Sequence, residues 1–334
     1  MTEQDIVPSA EIHAARSRIN GVIRRTAVEP SATLSEHLGK PVFLKLEHQQ
    51  ASGSFKFRGA SNAVARLDDT SRANGVIAVS TGNHGRGLAR ACRAAGVKCT
   101  IVMSRLVPAN KVDAIRTEGA EVVIYGQSQD EAQQEVDRRV AQGATMIPPF
   151  DHSDIIAGQG TLGLELLEQV PDLDTVFVQL SGGGLIAGVA AAIKSVKPQA
   201  RIIGVCMERG AAMAASLRAG QPTEVEELPT LADSLGGGIG LGNRYTFAMA
   251  QKLVDDVILL SETEIAQAIR HCYWQERQIV EGAAAVGVGA ILANTVPQHG
   301  TGAAVAILSG GNIDMRLHHR IISGENVDLI QEST

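Results

Sequence analysis

The sequence predicts an α/β protein built as two lobes, each a parallel sheet flanked by helices, with a cleft between them. Three observations carry this. Short apolar runs of strand character recur along the 334 residues. Each is followed by a glycine or polar turn and then a segment with apolar positions at helical spacing. The stretch "MIPPFDHSD" at 146–154, with its two prolines, divides these units into two series. Strand alternating with helix is the pattern of sheets covered on both faces.

In chain order, the first strong strand is "PVFLKLE" at 41–47, which needs parallel neighbours from elsewhere in the chain. "GVIAVS" (75–80), "CTIVMS" (99–104) and "AEVVIYG" (120–126) form a compact group. The segments "GRGLARACRAAG", "PANKVDAIRTEG" and "DEAQQEVDRRVAQ" supply its helices. Beyond the prolines come "DTVFVQLS" (174–181), "ARIIGVCM" (200–207) and "AAVAILSGG" (303–311). The expected division is a large domain of residues 1–66 and 155–334 and a small one of residues 67–154, in keeping with a usual domain size of ~150 residues.

Composition narrows the function. Net charge is −6 and there is no basic run, which argues against a nucleic-acid or membrane-surface partner. The opening "MTEQDIVPSAEIHAARSR" has no apolar core of a signal peptide, and no window approaches the ~20 apolar residues of a membrane span, so a cytoplasmic protein is expected. Cys92, Cys99, Cys206 and Cys272 lack paired spacing. They read as buried thiols of a reducing compartment.

Four places have the residue types chemistry needs. In "ASGSFKFRGA", Lys56 stands between Phe55 and Phe57 just past a strand. Ser181, Gly182, Gly183 and Gly184 link a buried strand to a helix, where exposed N–H groups favour a phosphate. Gly182, Gly184 and Ala187 also fit G-x-G-x-x-A, so a nicotinamide site and a plain tight turn stay open. Ser80, Thr81, Gly82, Asn83 and His84 again sit between strand and helix, a setting that holds a carboxylate. His84 by itself reads as a packed or capping imidazole. Ser309, Gly310, Gly311 and Asn312 end the last strand at the sheet edge where open α/β folds bind ligands. An amine, a phosphate cradle, a carboxylate loop and a neutral hydroxyl are together what pyridoxal phosphate requires, and a nicotinamide enzyme has no comparable use for Lys56.

"SGSFKFRGA", "STGNHGRG", "SGGGLIAG" and "SGGN", in this order, resemble the serine/threonine dehydratase family of fold-type-II pyridoxal-phosphate enzymes, whose architecture is like that of the tryptophan synthase β chain. The resemblance extends through "RINGVIRRTAVEPSATLSEHLGKPVFLKLE" and "PFDHSDIIAGQGTLGLELLEQ". It implies a pyridoxal 5'-phosphate-dependent ammonia-lyase with its cofactor in the cleft between the lobes. The enzyme would eliminate water from a β-hydroxy-α-amino acid of the serine or threonine type, leaving ammonia and an oxo acid. Lys56 would hold the cofactor and move the Cα proton. Phe55 would line the cofactor, Asn83 would bond its phenolic oxygen, and Ser309 would face the pyridine nitrogen. Gly182, Gly183, Gly184 and Leu185 would bind the phosphate through their backbone. Ser80, Thr81, Gly82, Asn83 and His84 would border the substrate carboxylate.

Departures from the family pattern add expectations. Thr81 places a hydroxyl where serine racemases carry a serine, which makes an amino-acid racemase the alternative. Arg86 replaces a usual glutamine, and reads either as a contact to a second substrate carboxylate or as a surface salt bridge. Cys206 occupies the place of a glutamate that helps bind a divalent cation in relatives, so no metal is expected. "PTLADSLGGGIGLGNRYTFAM" resembles dehydratases of hydroxyectoine utilisation; hydroxyaspartate or a hydroxylated diaminobutyrate are further candidate substrates. The resemblance, without the regulatory domain of biosynthetic threonine deaminases, implies a catabolic enzyme. A homodimer is expected.

Overall fold

The computed structural model describes residues 6–107, 109–293 and 300–330. The chain opens with helix α1 (Ser9–Ile19), an edge strand β1 (Val28–Pro30), α2 (Ala32–Leu38) and β2 (Val42–Lys45). A short 3-10 turn, Glu47–Gln49, leads to α3 (Lys56–Ala65) and α4 (Asp69–Asn74). Next come β3 (Val76–Val79), α5 (Asn83–Ala95), β4 (Cys99–Met103), α6 (Ala109–Thr117), β5 (Glu121–Ile124), α7 (Gln129–Ala141) and β6 (Thr145–Met146). The remainder is α8 (Ser153–Gln169), β7 (Leu173–Gln179), α9 (Gly184–Lys194), β8 (Arg201–Met207), α10 (Ala212–Ala219), α11 (Thr246–Leu253), β9 (Asp256–Leu260), α12 (Glu262–Trp274), α13 (Gly282–Leu292), β10 (Ala303–Ile307) and α14 (Met315–Ile322).

These strands make two sheets. One has the order β1-β2-β10-β7-β8-β9, parallel except for the antiparallel β1, and the other has the order β5-β4-β3-β6, parallel throughout. The seven strand-like runs all form strands, and "PVFLKLE" pairs in parallel with β10 as its apolar character requires. Three strands are additional to the expectation. β1 ends in a proline, β6 has two residues, and β9 alternates buried and half-buried positions too weakly to stand out.

Apolar burial explains why the helices sit where they do. α13, "GAAAVGVGAIL", lacks a polar face and lies almost wholly buried against the larger sheet. Helices α8 and α9 meet backbone to backbone: a Cβ at Gly188 would lie 2.4 Å from the Ile156 carbonyl oxygen. Caps set several starts, among them Ser261 and Glu264, which close a capping box on α12.

Behind α3 lies a buried ionic cluster. Arg58 holds Glu47 through two hydrogen bonds of 2.8 and 2.7 Å and Glu165 at 2.7 Å, and Lys45 meets Glu165 at 2.5 Å. Thr26 also donates to Glu47 at 2.5 Å. Two cations and two carboxylates thus neutralise one another out of water, and tie β2, α3 and α8 into one block. All four cysteines are free and buried. No described helix is long and apolar enough to cross a membrane, and no group of three or more His, Cys, Asp or Glu among the described residues is placed to hold a metal ion.

Candidate active site

The C-terminal ends of β2, β10 and β7, three adjacent strands, carry three of the four loops singled out above; the fourth follows β3 of the other sheet. Backbone bonds stitch them together. Phe55 N–H donates to the Ser309 carbonyl at 3.0 Å, Gly311 N–H to Gly53 at 2.9 Å, and Glu281 N–H to Gly310 at 3.1 Å. Gly53 takes φ +79°, a turn an L side chain resists, and it aims the chain into α3.

Lys56 is the first residue of α3, and its Nζ donates to the Pro149 carbonyl at 2.7 Å. The Phe55 ring centroid lies 5.4 Å from the same nitrogen. Burial, opposed by the nearby Glu281 carboxylate, brings the amine down to about 8. Phe57 turns the other way, into the core beneath the four-stranded sheet.

Pro149 leads directly to Phe150, which packs on the glycine loop. A Cβ at Gly182 would fall 2.2 Å from that ring, and one at Gly184 3.0 Å from the Phe150 backbone. Gly183 caps α9 with φ +88°, and Leu185 lies in the first turn. The first N–H groups of this apolar helix have no intrahelical partner, and the loop that carries them packs on Phe150, next to the proline that receives Lys56. The stretch "MIPPF" crosses between the two series of units and also brings the amine and the glycine loop together.

In the loop after β3, Ser80 Oγ accepts from the Gly85 N–H at 2.9 Å, which orders the start of α5, while Thr81 and Gly82 stay partly exposed. His84 is buried with Nε2 2.9 Å from the Ile147 carbonyl. Burial and then the charge of Lys56 push it down to about 3, so the imidazole is neutral at pH 7. Asn83 donates to Glu281 at 2.7 Å and accepts from Asn312 at 2.6 Å. Arg86 is half-buried and donates to Asn312 at 2.8 Å instead of joining a surface ion pair.

Glu281 and Asn312 carry no assigned role in the sequence reading. Glu281 caps α13 and is buried at the site; burial, reinforced by Asp233, raises its carboxyl to about 7. A lone acid immediately before a wholly apolar helix was the available signal. Asn312 stood in the quoted "SGGN".

The residues fit pyridoxal phosphate. There is an amine that is partly neutral near pH 8, a glycine loop at a helix start with no side chains of its own between Phe150 on one side and Met213 and Thr246 on the other, and the Ser309 hydroxyl at a strand end. Ser54 Oγ, buried two residues before Lys56, has no hydrogen-bond partner among the described residues. Such a lysine beside a helix N-terminus, at the C-terminal edge of a parallel sheet, defines a cofactor enzyme of α/β type.

Comparison with known proteins makes the class specific. A family model described as pyridoxal-phosphate dependent enzyme matches residues 19–310. A Sinorhizobium fredii protein provisionally named a threonine dehydratase is 56% identical over 97% of this chain and 98% of its own. The L-threo-3-hydroxyaspartate ammonia-lyase of Saccharomyces cerevisiae is 38% identical over 96% of this chain and 98% of its own. Among solved structures, maize serine racemase superposes with a TM-score of 0.89 at 35% identity, covering 95% of this chain and 97% of its own. The chain belongs to the pyridoxal-phosphate-dependent enzymes and, within them, to the serine/threonine dehydratase family of ammonia-lyases. Its fold is the fold-type-II arrangement, and its cofactor is pyridoxal phosphate, not a nicotinamide.

Proposed function

We propose that this ammonia-lyase removes water from a small β-hydroxy-α-amino acid through Lys56. The observation that carries the reading is the Lys56 amine, brought down to about 8 by burial and aimed at Pro149, next to the glycine loop. When bound, pyridoxal phosphate supplies an electron sink for the bond broken at Cα.

The chain's residues do the rest. The backbone of Gly182, Gly183, Gly184 and Leu185 would hold the phosphate, Phe55 would pack beside the cofactor, and Ser309 would face the pyridine nitrogen. A neutral hydroxyl there holds the ring proton less firmly than an aspartate does, which suits an elimination in which electrons leave with the β-hydroxyl. Ser80, Thr81, Gly82, Asn83 and His84 grip the substrate carboxylate at the start of α5. His84, neutral, adds no charge that would compete with Lys56. Lys56, as a neutral amine, would take the Cα proton and, as the ammonium so formed, would return a proton to the β-hydroxyl, which departs as water. The released enamine tautomerises to an imine, which water hydrolyses to ammonia and an oxo acid.

We read residues 1–66 and 155–334 as the lobe that holds the cofactor and residues 67–154 as the lobe that presents the substrate loop. α3 bridges them, since Ala60, Ala63 and Val64 pack in the core of the four-stranded sheet. The candidate substrates are L-serine, L-threonine, 3-hydroxyaspartate and a hydroxylated diaminobutyrate of hydroxyectoine breakdown; a second carboxylate would meet Arg86. We place the enzyme in amino-acid catabolism, in the cytoplasm, as a homodimer.

Borohydride treatment of the purified enzyme should bleach its visible band and leave the cofactor on Lys56, and Lys56→Ala should abolish ammonia release from every substrate. A colourless, fully active enzyme would overturn the reading. Thr81, with its hydroxyl on the substrate loop, supports racemisation as the second reading: D-serine outpacing pyruvate from L-serine in heavy water would establish it.

A further inference from the structure

We propose that Arg86, acting through Asn312, is a positioning residue that fixes which way the Asn83 amide faces and so keeps one Asn83 N–H on the cofactor's ring oxygen. This rests on the cofactor reading given above. Four side chains form a single file from the Arg86 guanidinium to the Glu281 carboxyl. Arg86 Nη1 donates to Asn312 Oδ1 at 2.8 Å, Asn312 Nδ2 donates to Asn83 Oδ1 at 2.6 Å, and Asn83 Nδ2 donates to Glu281 Oε1 at 2.7 Å.

The chemistry of the ends leaves the two amides one arrangement. A guanidinium only donates, so it must meet an amide oxygen. That turns the Asn312 nitrogen toward two acceptors, Asn83 Oδ1 and the Ser52 carbonyl at 3.1 Å. Asn83 in turn presents its nitrogen to Glu281. One of its two N–H groups serves that carboxylate, while the other faces no better protein acceptor than Ser234 Oγ at 3.4 Å. That weakly bonded N–H is the one a ring oxygen would take.

The backbone is cut to admit this file. A Cβ at Gly53 would lie 2.5 Å from Asn312 Oδ1, and one at Gly310 would lie 2.6 Å from Glu281 Oε1 and 3.3 Å from Asn83 Nδ2. The loop that carries Lys56 and the loop that carries Ser309 each yield a side chain's space to it. Removing Arg86 takes away the donor that holds Asn312 Oδ1 and leaves the Ser52 carbonyl as the contact that orients Asn312, so its hold on Asn83 loosens.

The test compares wild type, Arg86→Met, Arg86→Lys, Asn312→Asp and Asn312→Ala as holoenzymes, by cofactor retention in equilibrium dialysis, by the visible band, and by kcat and KM with L-threonine, whose single carboxylate avoids a direct contact with Arg86. Arg86→Met should weaken cofactor retention on the order of tenfold, about the worth of one hydrogen bond, shift absorbance from the visible to the near-ultraviolet form, and lower kcat more than it raises KM. Arg86→Lys, which keeps a donor, should recover most of each. Asn312→Asp keeps its pairing with Arg86 yet cannot donate to Asn83; it should lose more of the band and of cofactor retention than Asn312→Ala of equal or lower melting midpoint, which a purely structural role would not produce. Wild-type retention and band in both Arg86→Met and Asn312→Asp, with Lys56 of the wild type still fixed by borohydride, would overturn the proposal. Failure of wild-type Lys56 to be fixed would instead overturn the reading beneath it.

Discussion

Lys56 shows what a single residue costs and supplies. In the unfolded chain its amine ionises near 10.5, and in the fold burial brings it to about 8. Between these values the unfolded state binds more protons than the native state, so stability rises with pH there; below 8 the full penalty is present. Lys56→Met should therefore stabilise the cofactor-free enzyme by a few kcal/mol at most at pH 7, and that gain should shrink as pH climbs from 8 to 10.5, as read from chemical denaturation at several pH values. A gain that does not change with pH would assign it to packing instead. A residue held for chemistry at the expense of stability is a common feature of active sites. The sequence made Lys56, Ser309 and the serine-to-histidine loop legible because each stands in a short local pattern. Glu281 and Asn312 escaped it because a carboxylate before an alanine helix and an asparagine after two glycines have ordinary local explanations.

At the scale of elements, α3 packs in the core of the four-stranded sheet and is tied through Arg58 to Glu47, just past β2, and to Glu165 on α8. Arg58 points from it into the ionic cluster with Glu47 and Glu165, all three nearly or fully sealed from water. Arg58→Met should cost roughly 3–5 kcal/mol, measured as a fall in the urea midpoint, because it strands two carboxylates that have lost a shared partner. A loss below 1 kcal/mol would show that Lys45 alone suffices. Period and propensity revealed seven strands, and the helices α5, α6 and α7 lie where the spacing put them. β6 and β1 were not legible since two or three residues carry no period, and their strand state comes from pairing with β3 and β2.

For the whole molecule, the site is a meeting of two sheets. Pyridoxal phosphate at a hundred times its dissociation constant should stabilise the enzyme by about 2.7 kcal/mol, and NAD at the same concentration should leave the melting midpoint unchanged. The opposite response would return the glycine loop to a nucleotide role. The alternation of strand and helix, the four loop motifs and their order were determined by the sequence itself, because each is written within a dozen residues and obeys local rules of period, capping and turn chemistry. Tertiary structure alone decided that Pro149 receives the Lys56 amine, that Phe150 seats the glycine loop, and that Arg86, Asn312, Asn83 and Glu281 stand in one file. Those partners lie up to 229 positions apart in the chain, and only the packing of sheet edges brings them within hydrogen-bond reach.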